Sequence, residues 1–281
     1  MRRNNTTFIG KILLPVLLSI AIQSFGQQTN SIVSTQQSVE ESVKLAPCQN
    51  NARLEAVKKL FVQMGAKDNE ITIEKFDKDK ISNVLVKKKG KSAETIVIGA
   101  HYDKTDEGCG AIDNWTGISI IAHLFKTLRQ IDMEKSYIFV AFDQEEKGLF
   151  GSDEMAKAIP KQNRQQYCAM VNFDSFGFTA PMSLQSASSS KMVLVAKKLA
   201  EENKFKFIDA AFEGADADSS SFKSRDIPSI TFSGLDSNWQ NYLHSKNDQL
   251  EKINMTSVYL GYRFGLMFVA KLDLAGCKEN R

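Results

Sequence analysis

The chain reads as an α/β domain, a three-layer sandwich in which a central, mixed and mostly parallel β-sheet is flanked by helices. Two observations predict this. Residues 95–100, 137–142 and 167–173 are near-continuous apolar runs, the pattern of central strands covered on both faces. Between and after them lie stretches with helical spacing, so strands and helices alternate. A third observation turns the fold toward chemistry. The first run ends at His101 and Asp103, the second at Asp143, Glu145 and Glu146, the third at Asp174. Ligands of open α/β sheets sit at the carboxyl ends of the strands, and unpaired carboxylates converging there would repel one another unless something positive held them.

The elements follow in order. Residues 51–65 carry a helical stripe of Leu54, Val57, Leu60, Phe61 and Met64, closed by Gly65. Residues 71–76 and 83–88 alternate like a hairpin of outer strands. After the strand ending near His101 come a loop over 104–112 and a helix over about 114–130. The strand at 136–142 precedes a helix over 149–158 that stops before Pro160. The strand at 167–173 leads into a polar loop. A long amphipathic helix over 188–203, a short apolar strand at 229–232 and a last helix over 256–275 complete the body.

Of the 281 residues, 1–26 are set aside. Arg2, Arg3 and Lys11 precede the apolar stretch 12–22, and Ser24, Phe25 and Gly26 follow it, the order of a secretory signal peptide. The apolar stretch is short for a membrane span, so no stable span is expected after cleavage. Taking those three basic residues from the 36 leaves them equal to the 33 acidic ones. The remaining chain therefore has no electrostatic footprint for nucleic acid. Residues 27–47 read as a polar, loose lead-in, and 48–281 as one domain with a sizeable core, expected to be a monomer. All four cysteines lie in the exported part, where disulfides persist. Cys168 and Asp174 stand at opposite ends of one strand, roughly 20 Å apart at strand rise, which makes a Cys109–Cys168 bond poor. The readings left are a Cys48–Cys277 bond joining the domain's ends, or four free buried thiols.

Three histidines are available. His123 lies inside a helix among apolar neighbours and reads as structural. His101 is followed two residues later by Asp103, which could orient a metal-bound imidazole. Asp113 closes the glycine-rich turn 108–114 and, read alone, is a helix N-cap. Glu145 and Glu146 follow a buried strand directly, so one can hold metal while the other stays free as a base. Asp174 ends the third strand, and His244 is the remaining imidazole. Two neutral histidines and three carboxylates (Asp113, Glu146, Asp174) suit two zinc ions. With a bridging hydroxide the centre is neutral, as a low-dielectric site favours.

In this order the motifs resemble the co-catalytic di-zinc aminopeptidases, metallopeptidase family twenty-eight: His101-x-Asp103, the Gly-Ala-x-Asp-Asn-x-x-Gly run over 110–117, Glu-Glu-x-Gly-Leu-x-Gly-Ser over 145–152, Asn172-x-Asp174 and His-Ser-x-x-Asp over 244–248. The resemblance covers about 48–275 and implies a zinc-exopeptidase fold of the phosphorylase/hydrolase type. It implies Asp113 bridging two Zn2+ ions, with His101 and Asp174 completing one site and Glu146 and His244 the other. Asp103 would orient His101, and Glu145 would be the general base. The implied activity is removal of N-terminal residues from peptides with a free N-terminus; the export segment, read separately, makes the periplasm the expected location ahead of the medium. Two features depart from the family. The Ser-Asp-His that often precedes a Phe is replaced over 216–222 by Asp-Ala-Asp-Ser-Ser-Ser-Phe, and the residue before His244 is Leu243, with Tyr242 one further back. Phe176, Phe178, Phe212, Phe232 and Trp239 are candidate pocket residues. Asp216 or Asp218 would instead favour basic substrates.

Two rival readings are weighed. Glutaminyl cyclases share the scaffold with one zinc, and Trp239 would suit their pocket. Cyclases tend to lose the Asn after the bridging Asp and to carry an insertion after Glu-Glu, whereas this chain keeps Asn114 and the short Glu-Glu-Lys-Gly-Leu form. A non-catalytic relative should show broken ligands, and none of the five positions is broken.

Overall fold

The computed structural model describes residues 32–77, 80–210 and 215–281. The export segment, the first residues of the lead-in and Phe212 lie outside these. The described strands form one eight-stranded sheet: β1 (Ile71–Phe76), β2 (Ile81–Lys88), β3 (Thr95–His101), β4 (Ser136–Phe142), β5 (Tyr167–Phe176), β6 (Met182–Leu184), β7 (Ile208–Ala210) and β8 (Ser229–Gly234), in the order β1-β2-β4-β3-β5-β8-β6-β7. The four central strands β4, β3, β5 and β8 run parallel to one another. β1–β2, β2–β4 and β6–β8 are antiparallel, and β6–β7 is parallel.

The unbroken apolar runs follow from burial on both faces. On one face Val84, Val86, Ile96, Ile98, Phe139, Ala141, Val171 and Phe173 join one core. On the other, the intervening Leu85, Val97, Val140, Phe142 and Met170 join a second. This is the period of two of a strand, with both sets apolar. The first face is covered by α1 (Gln36–Val43), α2 (Asn50–Gln63), α3 (Thr116–Leu128) and α7 (Met255–Leu274). The second is covered by α4 (Phe150–Ala158) and α6 (Ser219–Lys223), which supply Met155, Ala156 and Phe222. α5 (Ser190–Glu202) packs against β8. From β3 the chain goes to β4 on one side and later to β5 on the other. The loops that leave these strands therefore part at the carboxyl edge and open a crevice there.

Three expectations are corrected. Residues 36–43 of the lead-in form α1, whose Val39 and Val43 are buried and which packs on α3 and α7. Asp174 does not end its strand, because β5 runs on to Phe176 past an irregular register. The cysteines pair as Cys48–Cys109 and Cys168–Cys277, not as Cys48–Cys277. Chain entropy assigns each closed loop, 61 and 109 residues long, about 4–5 kcal/mol. Among the described residues no helix is long and apolar enough to cross a membrane.

His123 is structural, as expected. Its ring is fully buried in α3, with Nδ1 2.7 Å from Ser34 Oγ and Nε2 2.9 Å from Ser42 Oγ, so it pins the lead-in to the core. Burial, reinforced by Lys126, lowers its pKa to about 4. The unfolded chain takes up this proton near pH 6.5, the folded chain only near pH 4, so stability falls as pH falls through that interval. The loss reaches about 3 kcal/mol below it. Urea denaturation between pH 7 and pH 4 should show this slope, and His123→Asn should remove its share. An unchanged slope in the variant would contradict the assignment.

Candidate active site

Five chain segments meet at the crevice. His101 is the last residue of β3 and is 1% exposed. Asp113 lies in the tight turn Ala111–Trp115 that opens α3, and its peptide bond to Asn114 is cis. Glu145 and Glu146 follow β4, and Asp174 lies near the end of β5. His244 enters from the loop before α7, with its side chain more than half exposed. The Asp113 carboxylate stands between the imidazoles: Oδ1 is 3.0 Å from His101 Nε2, and Oδ2 is 3.3 Å from His244 Nε2. Asp174 Oδ1 is 3.6 Å and Glu145 Oε2 4.0 Å from His101 Nε2, while Glu146 Oε2 is 3.0 Å from His244 Nε2. The five proposed ligands and Glu145 are thus brought together.

The backbone is shaped to deliver them. Gln144, Ser175 and His244 are left-handed at φ 56°, 58° and 55°, a conformation uncommon for non-glycine residues and concentrated at functional sites. Gly110, at φ 65°, starts the Asp113 turn. Asp103 Oδ1 is 3.4 Å from His101 Nδ1. Its two oxygens also accept the amides of Glu145 (3.0 Å) and Glu146 (3.2 Å), so one carboxylate ties the β3 loop to the β4 loop. Asp248 accepts the amides of Ile112 (2.7 Å) and Asp113 (3.3 Å). Asn114 donates to Phe173 O (2.8 Å) and accepts from Gly117 N (2.9 Å) and Ser175 N (3.1 Å), which joins the Asp113 turn to β5. In the sequence Asn114 and Asp248 are motif letters that carry no visible role. Their role is to satisfy buried amides, which a motif does not display.

The electrostatics follow the packing. Burial disfavours the charged form of His101, but Glu145 and the neighbouring acids Asp103, Asp113 and Asp174 outweigh it and hold the imidazole well above 6.5. Hydrogen bonds to Asp113 and Glu146 push His244 up to about 11. Burial would raise Asp113, yet the two imidazoles prevail and hold it below the usual carboxylate range. Glu145 is raised well above its ordinary value by burial, with Asp174, Asp218 and Asp113 adding to it against His101. The donor set fits divalent cations. Nitrogen and carboxylate atoms of His101, Glu145 and Asp174, and of His101, Asp113 and Glu146, lie within 4.8 Å of one another, and such N and O donors are those zinc takes.

Beside this cluster is a cavity of about 160 Å³. Its apolar wall is Leu184, Leu235, Trp239 and Leu243, and its polar lining includes Ser175, Ser233 and Asp216. Of the expected pocket aromatics within the described residues, only Trp239 lines it. Phe176 and Phe232 are core residues, and Phe178 stacks on Tyr242 at 4.5 Å between ring centroids. Large rings were drawn into the core by the area they bury, and shorter leucines shape the cavity. Asp218 does not line it. It lies fully buried behind, with both oxygens outside hydrogen-bonding geometry, and burial raises its pKa to about 7. Cys109 neither packs free over the site nor is a ligand, since it is bonded to Cys48.

Fold and site together define an α/β domain with an acidic, histidine-bearing centre at the switch point of its sheet. The model of Peptidase family M28 matches residues 83–260, and the chain belongs to that family. It is 25% identical over 252 residues to leucine aminopeptidase 2 of Arthroderma otae, covering 79% of this chain and 49% of that one. The chain spans between a quarter and a half of the length of the first curated relatives it matches. The LapA aminopeptidase of Legionella pneumophila superposes with a TM-score of 0.73 at 18% identity, covering 86% of this chain and 72% of that one. A glutaminyl cyclase from an Acidobacteriales bacterium superposes at 0.72 and 18% identity, covering 86% and 95%. These likenesses bear out the expected fold.

The Asn114 bracket has a steric condition. A methyl group on Gly117 would collide with Asn114 Oδ1 and Phe173 O. Gly117→Ala should therefore cost about 1–3 kcal/mol by overpacking, read as a lower urea midpoint. A midpoint at the wild-type value would show that the bracket does not constrain the turn.

Proposed function

We propose that the chain is an exported, zinc-dependent aminopeptidase that removes N-terminal residues from peptides. The observation that carries this reading is Asp113, whose two oxygens face different imidazoles. That is the disposition of a carboxylate shared by two cations. Asp113 would bridge, His101 and Asp174 would complete one site, and Glu146 and His244 the other. When bound, the ions supply Lewis-acid polarisation of the scissile carbonyl and acidify the attacking water.

The chain's own residues do the rest. Asp103 orients His101 from the Nδ1 side and holds the Glu145 and Glu146 amides in place. Glu145 lines the cavity, and burial raises its proton affinity. It is suited to take a proton from the attacking water and return it to the leaving amine. The ammonium of the substrate's free N-terminus is attracted to the acids at the cluster. The cavity's wall of Leu184, Leu235, Trp239 and Leu243 suits an apolar first side chain, which supports an aminopeptidase with an apolar preference. The name of the Arthroderma relative supports the same reading. Two disulfides among the described residues support an oxidising, extracytoplasmic location.

Two observations favour a second reading. Trp239 lines the cavity, and the cyclase neighbour is matched along nearly its whole length. The two readings separate on products: amino-acid release with two ions bound, against pyroglutamate formation with one.

Two outcomes are expected. Glu145→Gln should lower kcat by about 10²–10⁴-fold while zinc content by atomic absorption stays at the wild-type level; retained turnover would remove Glu145 from its role. The carboxylates push His244 up to about 11 and raise His101, so ligation must expel protons and affinity must fall as pH falls. Calorimetry of zinc uptake by chelator-stripped enzyme, in buffers of different ionisation enthalpy, should show proton release at pH 7. Uptake without release would contradict ligation by His101 and His244.

A further inference from the structure

Resting on the metal-centre reading above, we propose that Arg53 is a positioning residue for that centre. Its guanidinium would be a strut that sets the spacing between the loop carrying His101 and Asp103 and the turn carrying Asp113. Arg53 is in the first turn of α2 and is fully buried. Nε donates to the Tyr102 carbonyl, Nη1 to the carbonyls of Pro47 (2.8 Å) and Cys109 (3.2 Å), and Nη2 to that of Gly110 (3.1 Å). Tyr102 stands between His101 and Asp103, while Cys109 and Gly110 lead directly into the Asp113 turn. All four acceptors are main-chain carbonyls. One planar fork thus holds both ligand-bearing segments at a fixed distance without touching a carboxylate.

The surroundings fit this strut. The guanidinium lies 5.2 Å from the ring of Trp115, itself part of the Asp113 turn. A side chain at Gly110 would meet Arg53 Nη1 at 2.9 Å and Lys104 Cβ at 2.7 Å, so glycine there leaves room for the strut. Asn50, the first residue of α2, donates to Lys104 O (2.8 Å) and accepts from Lys104 N (3.0 Å). Cys48 is bonded to Cys109. The start of α2 therefore grips the 102–110 segment at three places. It lies outside the span matched by the family model, which begins at residue 83.

Two roles for a buried cation here make opposite predictions. As a counter-ion, Arg53 would offset Asp103, Asp248, Asp113 and Glu146, all of which act on it electrostatically; burial lowers its pKa only to about 10, so it stays charged. Such a charge opposes the arrival of a second cation, and its loss would tighten zinc binding. As a strut it organises the ligands, and its loss would weaken zinc binding whether or not the charge is kept.

The test uses the full oxidised chain. Wild type, Arg53→Lys and Arg53→Met are stripped of metal, shown to be folded by near-ultraviolet circular dichroism, and titrated with zinc against a chromogenic chelator. Both variants should bind zinc about 10–100-fold more weakly, the size of effect expected when a supporting partner of a metal ligand is lost. Lysine should not rescue, because a point charge cannot span the four carbonyls. Wild-type affinity in both folded variants, with only thermal stability changed, would overturn the strut. Tighter binding in the Met variant with no change in the Lys variant would overturn it in favour of a counter-ion. Should Arg53→Met not fold, Arg53→Lys, which keeps the charge and most of the bulk, decides alone. A wild-type chain that takes up no zinc would overturn the metal-centre reading itself, before any variant is compared.

Discussion

Everything at the carboxyl edge of this sheet depends on how buried negative charge is held. Asp103, Asp113, Glu145, Glu146, Asp174 and Asp248 converge within one crevice, and isolated buried carboxylates are costly. The structure divides five of them into two groups, with Glu145 apart on the cavity lining. Asp103 and Asp248 are satisfied by pairs of backbone amides and hold loops together. Asp113, Glu146 and Asp174 face imidazoles instead. On the proposed reading the first group is scaffold and the second would supply the metal donors.

The fold supplies the position and the turns supply the aim. Parallel strands β4, β3, β5 and β8 end at one edge, and the reversal of direction around β3 opens that edge to a ligand. The side chains are then turned inward by left-handed residues at 144, 175 and 244 and by Gly110. The conformational cost at these residues is repaid by amide pairs such as those on Asp103 and by the Asn114 bracket. The cavity lies beside the donor cluster, so on the proposed reading a substrate's first side chain and its free amine would be met by adjacent surfaces of opposite character.

Much of this was legible in the sequence. The apolar runs gave strands buried on both faces because both alternating sets are hydrophobic, and the acids after them marked the edge. The gathering of His101, Asp113, Glu146, Asp174 and His244 was legible because metal-type donors followed strand after strand. What was missed has identifiable causes. α1 is polar outside and buries little more than Val39 and Val43, so its pattern resembles a solvated tail. β6 and β7 are three residues long and carry no periodicity. Cysteine pairing depends on tertiary placement. The pocket was misjudged because aromatic size was read as recognition, when Phe176 and Phe232 are core. Arg53 left no motif, because its partners are carbonyl groups that every residue possesses.

The central claim is that Asp113 is shared by two cations, one beside His101 and one beside His244. It is tested most directly by anomalous diffraction at the zinc edge from crystals of the purified chain. Two peaks, one on each side of the Asp113 carboxylate, are expected. A single peak, or peaks away from Asp113, would contradict the account.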